Sequence, residues 1–159
     1  MRILGVDPGT VRMGFGVVEQ NGNQYTAIDF GCLRLSSRQS FTEKLKRIYD
    51  ELLRVIETYH PDEFAIEDLF YAENAKVAIK MGHARGVALL AAVNSQIPTA
   101  EYSPKEIKLS IAGNGAASKQ QIQRMVQQLL GLKVAPDPLD VSDALAVALC
   151  HIHRRRKIQ

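Results

Sequence analysis

The chain has 159 residues, 46% of them hydrophobic, and a formal net charge of +3. This length fits one domain, residues 1–159, with an ordinary core, and no run approaches the roughly 20 apolar residues of a membrane span. The first residues enter a strand-like pattern without the features of a signal peptide, so we expect a cytoplasmic protein. Cys32 and Cys150 lie in apolar stretches without metal-ligand spacing and are expected to be reduced core thiols.

The first half of the chain predicts three strands and a helix. Apolar runs bounded by turn residues give strands from Ile3 to Asp7, Gly14 to Glu19 and Tyr25 to Leu35, which favours an antiparallel meander. Apolar residues at helical spacing then predict a helix from Phe41 to Tyr59, stopped by His60-Pro61.

The second half alternates between helix and strand. It predicts a strand from Phe64 to Asp68, a long helix from Asn74 to Asn94 and a strand from Thr99 to Tyr102. Capping boxes at Ser103 and Ser118 start two further helices, the second ending at Gly131. The last helix begins near Asp140 and ends at about Arg155, before a flexible basic end at residues 154–159. The pattern predicts a mixed sheet with helices packed on its faces.

Four acids fall where this architecture can bring them together. Asp7 and Glu67 end two strands, and Asp140 and Asp143 share one face at the start of the last helix. Sites in open sheets gather beyond the carboxyl ends of strands. Each acid alone also fits a turn, a solvated strand end or a helix start, so only their joint placement favours a site.

Such a cluster points to a divalent cation. Carboxylates crowded together repel one another, and oxygen ligands suit Mg²⁺ or Mn²⁺. Two ions about 3.5–4 Å apart can clamp the attacking and leaving oxygens of phosphodiester hydrolysis. Zinc is not expected, because His and Cys ligand sets are absent. Asp68 is left out of the site because strand alternation points it to the opposite face.

The basic residues are unevenly distributed. From Glu73 to Lys133 eight basic and three acidic residues give a charge of +5, and residues 154–157 add a basic run. This distribution suits a phosphate backbone, although a solvated surface explains the charges equally well.

Several segments follow one another in an order and spacing that are typical of a known family. They are Ile3-Leu4-Gly5-Val6-Asp7-Pro8-Gly9-Thr10, Phe64-Ala65-Ile66-Glu67-Asp68-Leu69-Phe70, Gly82-His83-Ala84-Arg85-Gly86-Val87-Ala88, Ala92-Val93-Asn94 and Asp140-Val141-Ser142-Asp143-Ala144-Leu145-Ala146. The three acidic segments among them resemble the motifs of the RuvC family of bacterial Holliday-junction resolvases. The similarity includes the glycine-rich helix and the segment from Lys108 to Lys119, and it covers essentially the whole chain.

The resemblance implies a fold, an activity and partners. The fold would be ribonuclease-H-like, an α/β architecture with a five-stranded mixed sheet flanked by helices. The activity would be paired nicking of two like-polarity strands at a four-way DNA junction, in homologous recombination and DNA repair. The active form would be a homodimer with two Mg²⁺ ions per subunit, which Mn²⁺ can replace. RuvA and RuvB, the branch-migration proteins, would be its partners.

The resemblance also assigns residues. Asp7, Glu67, Asp140 and Asp143 would be the catalytic metal ligands, with Lys119 as a further catalytic group. The predicted DNA contacts are Phe70, Tyr71, Lys76, Lys80, Arg85, Lys108 and Lys119. Gly82 and Gly86 permit close backbone approach, either at a dimer interface or against the sheet.

Three other interpretations remain open on the sequence. One is an RNA nuclease of the same fold, such as the YqgF-type proteins. Another is a nucleotide-binding module, because Asp7-Pro8-Gly9-Thr10 with Gly14 and Gly16 resembles the phosphate loop of actin-like ATPases, although that fold needs two lobes. The third is a junction-binding protein without activity, which the complete acidic set disfavours.

Overall fold

The computed structural model describes residues 1–68 and 74–156, the last of these by its backbone alone. In chain order the elements are β1 (Arg2–Asp7), β2 (Arg12–Asn21), β3 (Gln24–Arg34), α1 (Phe41–Tyr59), β4 (Glu63–Glu67), α2 (Ala75–Asn94), β5 (Thr99–Tyr102), α3 (Pro104–Ala112), α4 (Lys119–Leu129) and α5 (Leu139–Arg156). Within these described ranges, none of the helices combines the length and apolarity that crossing a membrane requires.

The five strands form one sheet in the order β3-β2-β1-β4-β5. β1, β2 and β3 are antiparallel neighbours, as the predicted meander requires. β4 runs parallel to β1, and β5 runs parallel to β4. The predicted five-stranded mixed sheet flanked by helices is confirmed, and β1 and β4 end at the same edge of it.

The sheet separates two hydrophobic cores. Leu4 and Val6 of β1 pack with α1 and α2 on one face, whereas Ile3 packs with α3, α4 and α5 on the other. Because side chains alternate along a strand, Asp7 belongs to the face that carries Ile3. The acid that ends β1 therefore faces α5.

Some element boundaries differ from the prediction. β2 begins at Arg12 rather than Gly14, because Arg12 still pairs with Arg34 on β3. The predicted strand to Asp68 ends one residue earlier, at Glu67. The last helix begins at Leu139, so Asp140 lies in its first turn and is not the cap. The capping boxes predicted at Ser103 and Ser118 are both formed.

The basic C-terminal end is partly helical. α5 continues to Arg156, although flexibility was expected from residue 154. Arg154 pairs with Glu106 at 2.6 Å and Arg155 with Glu63 at 2.9 Å, which anchors this last turn. At 1.5 Å per residue, these guanidiniums lie about 20 Å along the helix from Asp140. They are therefore remote from the clustered acids.

Candidate active site

Two carboxylates stand side by side where β1 and β4 end. The parallel register pairs Val6 with Ile66, so the next residues, Asp7 and Glu67, are neighbours at the edge of the sheet. Alternation points both toward α5, the side on which Ala65 is packed. The predicted meeting of these two acids at one edge is confirmed.

The start of α5 reaches them because glycines let this helix lie close to the sheet. A Cβ on Gly14 would lie 1.9 Å from the carbonyl oxygen of Asp140, and one on Gly5 would lie 2.2 Å from a carbonyl oxygen of the same helix. Both distances are far inside van der Waals contact, so only glycine permits this approach. The first turns of α5, with Asp140 and Asp143, are thereby set beside Asp7.

Asp7 lies at the centre of the cluster. Burial raises the pKa of its carboxyl well above the usual value, and the charges of Glu67, Asp143 and Asp140 raise it further, whereas Lys119 opposes them. Charges act on a partly desolvated group mainly at short range. Glu67, Asp140 and Asp143 are therefore close enough to Asp7 for their charges to act on its carboxyl.

A hydrogen bond and an ion pair link members of this cluster. Burial and then the charge of Asp143 raise the pKa of Glu67, and a side-chain hydrogen bond with Asp7 opposes the shift. Lys119 Nζ donates to Asp143 Oδ2 at 2.9 Å. That bond raises the pKa of Lys119, so the lysine stays charged at neutral pH.

The raised pKa of Asp7 predicts a pH-dependent stability. The folded state holds this proton more tightly than the unfolded state, so the contribution is full below the ordinary carboxyl pKa and is lost as the pH rises through the raised folded value. In chelator, Asp7→Asn should therefore unfold at a higher temperature than wild type, and the gap should widen above about pH 4. Thermal unfolding across a pH series measures it. A gap that does not change with pH would contradict the burial of Asp7 among acids.

α3 and α4 supply two lysines to the wall of the pocket. The α3 pattern alone is compatible with a solvated Lys108, but the structure places it in the pocket lining. Ser118 caps α4 by accepting a hydrogen bond from the Gln121 amide, so Lys119 begins a helix whose free amides favour anions. The pocket is lined by Glu67, Pro104, Ile107, Lys108, Lys119, Ile122, Asp143 and Ala146.

The donor set fits a hard divalent cation. Carboxylate oxygens held close together are ligands that suit Mg²⁺, and they bind it in their ionised form. Within residues 1–68 and 74–156, no three His, Cys, Asp or Glu side chains already have the spacing of a metal site. An ion would therefore have to draw the carboxylates together and replace the pair between Lys119 and Asp143.

Arg85 is held by acids rather than presented to solvent. It pairs with Glu101 and with Asp68, the latter at 3.2 Å, and its side chain is only 18% exposed. Its Nε also donates to the Glu67 carbonyl at 3.3 Å. These contacts place Asp68 on the face opposite the site, as alternation predicts. They also weigh against the predicted DNA contact, because a phosphate would have to compete with two carboxylates.

The other predicted DNA contacts lie on or next to α2. Lys76 and Lys80 are exposed in its first turns, and the Lys80 ammonium lies 5.7 Å from the centre of the Phe41 ring. Phe70 and Tyr71 lie outside the described residues. The DNA-binding role of all four remains a prediction.

Gly82 and Gly86 do not pack against the sheet. Both are exposed, and a Cβ on either would meet nothing within 4 Å. The sheet side of α2 is formed instead by Ala84, Ala88, Ala91 and Ala92. Of the two uses predicted for these glycines, close approach to the sheet is wrong.

Comparison with known proteins identifies the family of this chain. The family model described as "Crossover junction endodeoxyribonuclease RuvC" matches residues 3–151. The chain belongs to the RuvC family. A relative of that name in Desulforamulus reducens is 51% identical over 95% of this chain and 93% of its own length. Another RuvC, in Alkaliphilus oremlandii, is 48% identical over 96% and 93%.

Solved structures agree with this family. The Thermus thermophilus RuvC structure has a TM-score of 0.90 at 34% identity and covers 99% of this chain and 96% of its own. The same RuvC in complex with its Holliday junction substrate has a TM-score of 0.91 at 32% identity. The yeast mitochondrial resolvase Ydc2, at 13% identity and a TM-score of 0.73, shares the fold. The predicted ribonuclease-H-like fold is confirmed.

Sequence reasoning missed the glycines that set the depth of α5. In the sequence, Gly14 and Gly16 of β2 suggest only an alternative phosphate loop, yet a Cβ on Gly16 would lie 2.6 Å from Leu145 Cδ2 of α5. Glycines at alternate positions of a strand indicate close approach of another element. This signal was present in the sequence.

Proposed function

We propose that this chain resolves four-way DNA junctions by nicking two like-polarity strands at the pocket around Asp7. Membership of the RuvC family makes it a crossover junction endodeoxyribonuclease, and the RuvC solved with a Holliday junction supports this substrate. Junction resolution of this kind is needed in homologous recombination and DNA repair. The observation that carries the site assignment is that Asp7 and Glu67 end neighbouring strands while glycines bring the first turns of α5, with Asp140 and Asp143, close to the sheet.

The proposed cofactor is Mg²⁺, replaceable by Mn²⁺, with two ions per subunit. Asp7, Glu67, Asp140 and Asp143 would hold it. When bound, it would lower the pKa of water and stabilise charge on the leaving 3′ oxygen during in-line attack. The carboxylates would hold and orient the ions, and the apolar side chains of the pocket wall would limit the access of water. The Lys119 ammonium, freed from Asp143, would neutralise charge on the scissile phosphate.

Lys119→Gln should separate catalysis from binding. Loss of one positioned positive charge is expected to lower the single-turnover nicking rate by about 10²–10³-fold, while the junction Kd rises less than about tenfold. Lys105→Gln, an exposed lysine of α3, is the matched control for lost charge. Equal effects of the two substitutions on the rate would remove Lys119 from the catalytic groups.

DNA binding is proposed for the basic residues around the pocket and the start of α2. Lys108 and Lys119 line the pocket, and Lys76 and Lys80 are exposed on α2. Phe70 and Tyr71 would stack on bases near the crossover, as base–aromatic contacts do. For Arg85 we propose a positioning role, because its contacts with Asp68 and Glu101 tie α2 to the ends of β4 and β5.

A homodimer through α2 is the proposed active form. Around Gly82 and Gly86, the outward face of this helix carries Ile79, Leu90 and Val93, which are 61%, 50% and 58% exposed. An apolar strip with two glycines permits close packing of a second copy about a twofold axis. Such a dimer would hold two pockets in the fixed relation that paired nicking requires.

Leu90→Glu tests this interface. A charge buried in the strip should weaken the dimer by at least about 2 kcal/mol, or about thirtyfold in Kd. Sedimentation equilibrium measures the association. Leu109→Glu on α3 is the control, since Leu109 is 55% exposed but lies away from α2. If both variants dimerise like wild type, α2 is not the interface.

The proposed function is tested with a labelled mobile four-way junction. Purified protein should make paired nicks with Mg²⁺ and none in chelator, leaving 5′-phosphate and 3′-hydroxyl ends. Linear duplex DNA and RNA serve as competing substrates, and preferential cutting of RNA would favour the RNA-nuclease alternative. Addition of RuvA and RuvB tests whether these proposed partners stimulate the reaction.

A further inference from the structure

Two arginines stand directly opposite each other beside the pocket. Arg12 on β2 pairs in register with Arg34 on β3, and both are exposed. Arg12 lies two residues before Gly14, which faces the backbone of Asp140, so alternation points Arg12 to the face of the sheet that carries the acids. Arg34, its cross-strand partner, lies on the same face.

Cys32 links the arginine pair to the site through the strand register. It pairs with Gly14 across the strands, and a Cβ on Gly14 would meet the backbone of Asp140. Cys32 is half-buried, not a core thiol as the sequence predicted. The pair of Arg12 and Arg34 therefore lies two residues along the same face from the residues that contact α5.

Arg12 and Arg34 differ from most other arginines in their partners. In the part of the chain that the structure describes, no carboxylate forms an ion pair with either of them. Arg47 adds a third guanidinium by donating to the Arg34 carbonyl at 3.2 Å. Like charges directly opposite on neighbouring strands are destabilising. Arginines that do have carboxylate partners are Arg2, Arg54, Arg85, Arg154 and Arg155.

The arginines lie on the side of Asp7 opposite the lysines. The sheet order places β2 and β3 to one side of β1 and β4 to the other, and Lys108 and Lys119 line the pocket together with Glu67 of β4. With strands about 4.8 Å apart, β3 and β4 are about 14 Å apart. A DNA strand crossing the edge of the sheet would meet the lysines, the acids and then the arginines.

We propose that Arg12 and Arg34 together bind a backbone phosphate of the cleaved strand, next to the scissile phosphate on the β2–β3 side of the pocket. A phosphate between two guanidiniums turns their repulsion into two charge-assisted contacts, and the planar fork of arginine matches its oxygens. This subsite rests on the proposed nicking at Asp7. It would fix which way the cleaved strand runs through the pocket.

The test measures junction binding in chelator over a range of salt concentrations. The Arg12→Gln/Arg34→Gln variant should reduce the slope of log K against log salt by about 0.9, the value for one lost phosphate contact, and each single substitution should reduce it by part of that amount. Arg54→Gln is the matched control, since Arg54 pairs with Glu51 on α1, and its slope should equal that of wild type. Thermal unfolding of each variant reports its fold, and removing either charge should leave Tm unchanged or raise it.

A second arm locates the phosphate. Junctions with one methylphosphonate on the cleaved strand should bind wild type weakly when the neutral linkage lies beside the nick, and the Arg12→Gln/Arg34→Gln variant should not discriminate that junction. Unchanged slopes, or slopes that fall without a sensitive position beside the nick, would overturn the subsite. Nicking by wild type with Mg²⁺ is scored separately, so failure of the proposed function is distinguishable from failure of this subsite.

Discussion

Asp7→Asn is expected to lower metal-dependent nicking by at least about a thousandfold while the junction Kd stays within about threefold of wild type. A metal ion contributes several kcal/mol to charge stabilisation in the transition state, and each 1.36 kcal/mol is a factor of ten in rate. Asn keeps the size of the side chain but cannot supply the charge at the centre of the cluster. Binding depends on the basic surface, which the substitution leaves intact. Single-turnover nicking and a binding titration measure the two effects.

Asp50→Asn is the control for this substitution. Asp50 is an exposed acid of α1 that pairs with Lys46, so the same chemical change there should leave both the rate and the Kd unchanged. Nicking by Asp7→Asn at more than about a tenth of the wild-type rate would place the reaction elsewhere in the molecule.

Gly14→Ala is expected to damage the site without touching a carboxylate. The new Cβ would lie 1.9 Å from the carbonyl oxygen of Asp140, and backbone cannot rotate away as a side chain can. α5 must therefore shift, and a displacement of about 1 Å at a catalytic group can cost about a hundredfold in rate. Overpacking of this kind also costs about 1–3 kcal/mol of stability. The nicking rate and the free energy of unfolding, measured by denaturant titration, should both decrease.

Gly16→Ala separates the loss of nicking rate from the loss of stability that Gly14→Ala is expected to cause. Its Cβ would meet the Leu145 side chain at 2.6 Å, and this side chain can move while the helix backbone stays in place. We expect a loss of stability with a nicking rate within about tenfold of wild type. If Gly14→Ala and Gly16→Ala lower the rate equally, the depth of α5 does not set the geometry of the acids.

The sequence predicts where the strand-end acids and Lys119 lie in the fold because each of them is marked by a pattern in the neighbouring residues. Strand-end acids such as Asp7 and Glu67 stand out against apolar runs, and alternation separates Glu67 from Asp68. The capping box at Ser118 places Lys119 at a helix start. These signals depend on spacing within a few residues, and the structure preserves them.

The other features of the site depend on contacts between residues that are distant in the sequence. Arg85 looks like any basic residue of a helix, and only the fold shows that Asp68 and Glu101 surround it. Nothing local distinguishes a solvated Lys108 from one in the pocket wall. The cross-strand neighbours Arg12 and Arg34 are 22 positions apart, so their proximity follows from the strand register.

The most direct test of the account is to locate bound Mn²⁺ by anomalous diffraction. We predict a peak with carboxylate oxygens of Asp7, Glu67 and at least one of Asp140 and Asp143 in its first shell, at the roughly 2.0–2.2 Å expected of a hard cation. The ion should displace Lys119 from Asp143. A peak bound to a single one of these carboxylates, or one elsewhere on the molecule, would contradict a shared metal pocket.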